Sequence, residues 1–170
     1  MSAPPASSKT PTAVCPLLPI LWIGLVAGTL DITDNLIYNG LRGVGPKIVF
    51  QFIASGLIGM SSFRLGAASV ILGVACHYAI AISWTAIFYF LRRRFPALAR
   101  RAASAGLLYG GAVYLFMNYV VVPLSRVPHL TGRVSFLARV NAVLSVVLFI
   151  GLTIALLMRR IAPVPATPGA

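Results

Sequence analysis

Asp31 and Asp34 are the only acidic side chains in the chain, and both lie in an apolar stretch that runs from residue 17 to residue 41. A charged side chain near the centre of a bilayer costs at least about 2.5–3.5 kcal/mol, so acids at that depth face a bundle interior and pair, bind a cation or exchange protons. Their i, i+3 spacing puts both on one face of a helix, which Asn35 and Tyr38 extend outward. Desolvation and a nearby cation act on such a carboxyl in opposite directions, and together they can leave it exchanging protons near neutral pH. The candidate cations are Arg139 and a protonated His77.

The elements that must hold these residues follow from composition. The chain has 170 residues, 59% hydrophobic and 9% charged, with mean hydropathy +0.93, far from the balance of a soluble domain. Four stretches, 17–41, 66–91, 102–124 and 134–158, exceed the roughly 18 apolar residues that a transmembrane helix needs. The expectation is an all-α integral membrane four-helix bundle over 17–160. Residues 48–63, with Lys47, Gln51, Ser55 and Ser62 on one helical stripe, form a short interfacial or re-entrant helix after the first span. Length and amphipathicity alone favour that reading over a fifth crossing.

The net charge of +12 first suggests nucleic acid, but the basic residues cluster at the ends of apolar runs, as topology signals do. With four crossings, the side of the N-terminus holds Lys9, Arg92, Arg93, Arg94, Arg100, Arg101, Arg159 and Arg160, eight in all. The other side holds five, Arg42, Lys47, Arg64, Arg126 and Arg133, with Arg139 inside the last helix. Both termini are therefore expected in the cytoplasm. Residues 1–16 and 161–170, rich in Pro, Ala and Thr, read as disordered tails, and the first is not a cleaved signal peptide because its start is barely basic.

At about 1.5 Å rise per residue, His77 on the second span reaches the level of Asp31, so the two can meet. Asp34 falls near the levels of Asn118 and Asn141, with Arg139 slightly further out. One polar layer of Asp31, Asp34, His77, Asn118, Asn141 and Arg139 is expected. A lone spanning His lacks the companions that a haem or metal site requires, since His129 lies in an outer loop, and Cys15 and Cys76 are placed too differently to bridge. No cofactor is expected. The Gly24/Gly28 and Gly106/Gly110 pairs suit close helix approach, within the bundle or along a homodimer seam. No GxSxG, HExxH, Walker-type or CxxC pattern occurs, and the chain contains no Glu, which disfavours an enzyme.

Residues 24–31 (GLVAGTLD), 77–84 (HYAIAISW) and 110–123, with YLFMNY at 114–119 and the ending VPL at 122–124, resemble segments of small bacterial inner-membrane proteins, distantly of the YagU-like family. The resemblance covers most of residues 20–128. It implies a bacterial inner-membrane location and carries over no reaction or catalytic residues. Two function classes stay open: a non-enzymatic membrane protein whose polar layer fixes helix packing, and a small proton-coupled transporter using Asp31. The second resembles small multidrug-resistance carriers in its few spans and its acid in helix one, although those carry Glu.

Overall fold

The computed structural model describes residues 16–128 and 135–161 of the chain. Most of both expected tails, with Lys9 and Cys15, lies outside the described residues, as do His129, Arg133 and Val134. Every regular element among the described residues is helical. Four helices are long and apolar enough to cross a membrane: α1 (Leu17–Gly40), α3 (Ala67–Arg94), α5 (Ala102–Leu124) and α6 (Phe136–Arg160). The shortest, with 23 residues, is about 35 Å long, against a hydrocarbon core of about 30 Å. Between them lie α2 (Pro46–Ile58) and the single-turn α4 (Pro96–Arg100), each opening on a proline where no intrahelical N–H is needed.

The contacts set an up-down order. Gly24 and Gly28 of α1 face Ile82, Ala81 and Tyr78 of α3, so the two run antiparallel. Gly106 faces Ala155, and Gly110 faces Val147, which sets α5 antiparallel to α6. Helix α6 also runs antiparallel to α1, pairing Ser145 with Asp31 and Asn141 with Asp34. One end of the bundle, the near end, thus gathers Leu17, Arg94, Ala102 and Arg160; the far end gathers Gly40, Ala67, Leu124 and Phe136. Arg92, buried at the near end, donates to the Met158 carbonyl at 2.6 Å and ties the ends of α3 and α6 together.

Both glycine pairs are taken up within the chain. A Cβ on Gly24 would come within 2.9 Å of the Ile82 backbone, and one on Gly106 within 2.9 Å of the Gly151 carbonyl. The hydrophobic core fills the near half, where Ile23 and Ala27 meet Ala81, Phe88, Val113, Ile150, Ile154, Ala155 and Met158. Towards the far end the packing opens.

Two π-helical stretches interrupt the long helices at the level where it opens, Met117–Val121 in α5 and Val146–Leu152 in α6. The first precedes Pro123, which has no N–H to return to the fourth residue before it. In the second, Thr153 Oγ1 donates to the Leu148 carbonyl at 3.1 Å, five residues back, matching the wider turn.

Helix α2 has 13 residues, about 20 Å, too short to cross the hydrocarbon alone. Its polar stripe differs from expectation in direction. Lys47 is exposed, but Gln51, Ser55 and Ser62 are buried instead of facing an interface. Gln51 Nε2 donates to Ser69 Oγ at 3.1 Å and to the Gly66 carbonyl at 3.4 Å, and Ser62 Oγ donates to the Gln51 carbonyl. Such close docking needs Gly73, where a Cβ would sit 2.0 Å from the Phe50 carbonyl oxygen. The chain reverses through the 3-10 turn Gly59–Phe63, which begins at a positive φ of 64° that suits glycine. Gln51→Leu is expected to lower stability by about 1–3 kcal/mol, because it removes the donor to the buried Ser69 hydroxyl, while the Gly66 carbonyl keeps the Ser69 hydroxyl at 3.0 Å. Thermal unfolding of Gln51→Leu, Ser69→Ala and the double variant checks this, with non-additive losses expected.

Candidate polar site

The site grows from the face of α1 that carries Asp31, Asp34, Asn35 and Tyr38, three of them half-buried. Asn141 and Ser145 on α6 are four residues apart and share a face, as Asp34 and Asp31 do. Because the helices run antiparallel, the two pairs meet in register. Ser145 Oγ donates to Asp31 Oδ1 at 2.9 Å, and Asn141 Nδ2 donates to Asp34 Oδ2 at 3.1 Å. Ser145 was not among the residues expected from sequence. The signal was its i+4 spacing from Asn141 in an otherwise apolar run.

His77 reaches the expected level but takes a different hydrogen-bond partner. Its Nε2 lies 2.8 Å from the Gly28 carbonyl, an atom that only accepts, so the proton sits on Nε2. The ring lines the same cavity as Asp31 without a hydrogen bond between them. Beside it, the Thr29 and Tyr78 hydroxyls lie 3.0 Å apart and add a second polar link between α1 and α3. Asn118 is exposed and donates back to the Tyr114 carbonyl of its own helix at 2.9 Å. It lines a cavity with Asp31 and bonds neither acid. Arg139 is exposed, and its guanidinium pairs with neither carboxylate. Among the described residues, no basic side chain forms an ion pair with Asp31 or Asp34.

Asp31 stands where two cavities meet. One, of about 220 Å³, is lined by Asp31, Asn35 and His77 at its polar end and by Ile32, Ile53, Ile80, Trp84, Met117 and Val146 elsewhere. The other, of about 260 Å³, runs between α1, α5 and α6, and Asn35, Tyr38, Asn39, Tyr114, Asn118, Asn141 and Ser145 line it around Asp31 together with Ala138, Ala142 and Val146. Towards the far end, Arg42 Nη1 donates to Tyr38 Oη at 2.8 Å and reaches Ser135 Oγ at 3.4 Å, bridging α1 and the start of α6. Asn39 donates to the Asn35 carbonyl and side chain, which orders the wall between.

An ionised carboxylate offers about four acceptor positions, and Ser145 occupies one of those on Asp31. Asp31 also lines both cavities, each large enough for a water, a cation or a donor group. Asp34 is held by Asn141 and does not line either cavity. Among the described residues no cluster of three or more His, Cys, Asp or Glu forms a metal cage. Interhelical hydrogen bonds in lipid contribute about 0.6–2 kcal/mol each, so Ser145→Ala and Asn141→Ala should each lower unfolding stability by about that amount. Asn118→Ala, which removes only a bond within its own helix, should change it less. Steric-trap or urea unfolding in micelles reads the difference.

No protein-family model, no curated protein and no solved structure matches the chain.

Proposed function

We propose that this chain is a non-enzymatic multi-pass protein of the bacterial inner membrane, with both termini in the cytoplasm, and that it couples proton binding at Asp31 to the movement of a small solute. The observation that carries the reading is the position of Asp31, a carboxyl that lines two cavities at their junction in the open half of the bundle. An acid serving only to fasten helices needs a partner and no adjoining space. Intramembrane ionisable residues facing a cavity are the usual marks of ion and proton pathways. The location is supported by the four long apolar helices, by the surplus of arginines at the near end and by the distant YagU-like resemblance over most of residues 20–128.

Asp34 has the fastening role in this reading, because Asn141 satisfies it away from either cavity. A purely structural polar layer is the competing reading, and the Ser145–Asp31 bond favours it. Proteoliposomes carrying an internal pH dye separate the two. The transport reading expects wild-type protein to dissipate an imposed pH gradient in the presence of substrate-class solutes, and Asp31→Asn to abolish that response at normal expression and fold. Loss of folding in Asp31→Asn, with no gradient response from the wild type, supports fastening instead.

A further inference from the structure

We infer that the Asp31 cavity is entered sideways, through the seam between α3 and α5, by a single-chain amphiphile with a protonated amine as its head group. The inference rests on the reading of Asp31 as an ionisable site and adds the class of ligand and its route. Helices α3 and α5 touch through an aromatic cluster: Tyr109 Oη donates to the Trp84 carbonyl at 2.6 Å, and the Trp84 ring meets Tyr109 and Phe116 edge to face. Beside that cluster lies a groove of about 400 Å³ with a nearly wholly apolar wall. Three of its residues, Ile80, Trp84 and Met117, also line the inner cavity that ends on Asp31. Groove and inner cavity therefore share a wall, and Asp31 and Asn35 join the inner cavity to the polar one beyond.

This arrangement is graded along one line, from hydrocarbon at the seam to a carboxylate at the inner end. A ligand complementary to it has a hydrocarbon tail and a donor head. Charge selects among heads. Among the described residues no basic side chain forms an ion pair with Asp31, and His77 donates its Nε2 proton to Gly28, so the cavity presents an acceptor held by the Ser145 hydroxyl and by no ion pair. An ammonium supplies both the counter-charge and three N–H donors for Asp31 and Asn35. A hydroxyl head supplies one donor and no charge, and a carboxylate head is repelled. The π-helical stretch Met117–Val121 forms one side of the seam, so the opening coincides with an irregular part of α5.

Trp84 reports on this route directly. The chain has two tryptophans, so in a Trp22→Phe background Trp84 is the sole indole fluorophore. In nanodiscs of zwitterionic lipid, an alkylamine brominated on its chain is expected to quench Trp84 saturably. The brominated fatty acid and alcohol of the same length should quench only to the level set by partition into lipid. Asp31→Asn is expected to weaken amine quenching about tenfold or more, the scale of one lost charge-assisted hydrogen bond. Ile80→Phe, which fills the seam without touching the acid, should weaken it as well. Equal quenching by amine, alcohol and acid, or an Asp31→Asn variant that binds the amine unchanged, overturns the proposal. Proton uptake measured on the same nanodiscs separates the layers of inference. Uptake that depends on Asp31 without amine binding sinks the ligand class alone, whereas absence of both removes the underlying reading too.

Discussion

Gly151→Ala is expected to destabilise the bundle severely, whereas Gly111→Ala should leave it unchanged or slightly more stable. In a helix interior, Ala is favoured over Gly by about 1 kcal/mol, so the substitution helps wherever the new methyl has space. At Gly111 a Cβ meets nothing within 4 Å. At Gly151 it would lie 2.3 Å from the Gly106 carbonyl oxygen and 2.5 Å from the Gly110 Cα, both backbone atoms that no rotamer change can move aside. Overpacking costs typically about 1–3 kcal/mol, and more where backbones must separate. Moving α5 from α6 would also disturb Val113, Ile150 and Ala155 in the core. Gly73→Ala should act in the same way on the α2–α3 docking, since its Cβ would sit 2.0 Å from the Phe50 carbonyl oxygen. Unfolding midpoints of the three variants in one detergent check the order, and equal stability of Gly151→Ala and Gly111→Ala would show that the two helices do not approach this closely.

The second large effect is expected at Asp31. Asp31→Asn keeps shape and hydrogen-bonding capacity and removes only the titratable charge, so Ser145 can still donate to the amide oxygen. Under the transport reading, proton-linked flux falls to the background of empty liposomes while the unfolding midpoint moves little. Asp31→Glu restores a titratable group but pushes it one methylene further into the cavity, so partial flux is expected. Asp34→Asn should show the opposite pattern, with flux retained and stability altered, because Asp34 lies outside both cavities and is bound to Asn141. Crossing the four measurements distinguishes an acid that acts from one that fastens. A flux unchanged in Asp31→Asn and lost in Asp34→Asn would reverse the assignment.

Much of this arrangement is legible in the sequence because bilayer thickness acts as a ruler. Apolar stretches longer than about 18 residues have few other folded destinations, and the four found here form four long helices. The meeting of Asp31 and Asp34 with α6 was half legible. Depth places Asn141 near Asp34, but Ser145 carries little signal of its own, since a lone serine in an apolar helix often bonds its own backbone. Depth fixes a level along the bundle and says nothing of azimuth, which is why His77 could be set beside Asp31 yet turn out to donate to Gly28. The same limit applies to Arg139, which is exposed, and to Asn118, which lines the polar cavity but bonds only its own helix. For α2 the stripe of Gln51, Ser55 and Ser62 was visible, and its burial was not. That direction depends on Gly73 and Ser69 of α3, residues whose role emerges only once the two helices are brought together. The π-helical turns had no sequence signal beyond Pro123.

Infrared difference spectroscopy of protein reconstituted in lipid, titrated from acid to alkaline pH, addresses the protonatable carboxyl itself. A protonated carboxyl absorbs apart from the amide bands, and the chain contains two acidic side chains, so assignment requires only Asp31→Asn and Asp34→Asn. The expected result is a carboxyl band that titrates reversibly within the range in which the protein stays folded, disappears in Asp31→Asn and persists in Asp34→Asn. A spectrum in which Asp31 never changes protonation, or in which its band is unaffected by bulk pH because no path reaches it, would contradict a proton site at the junction of the two cavities.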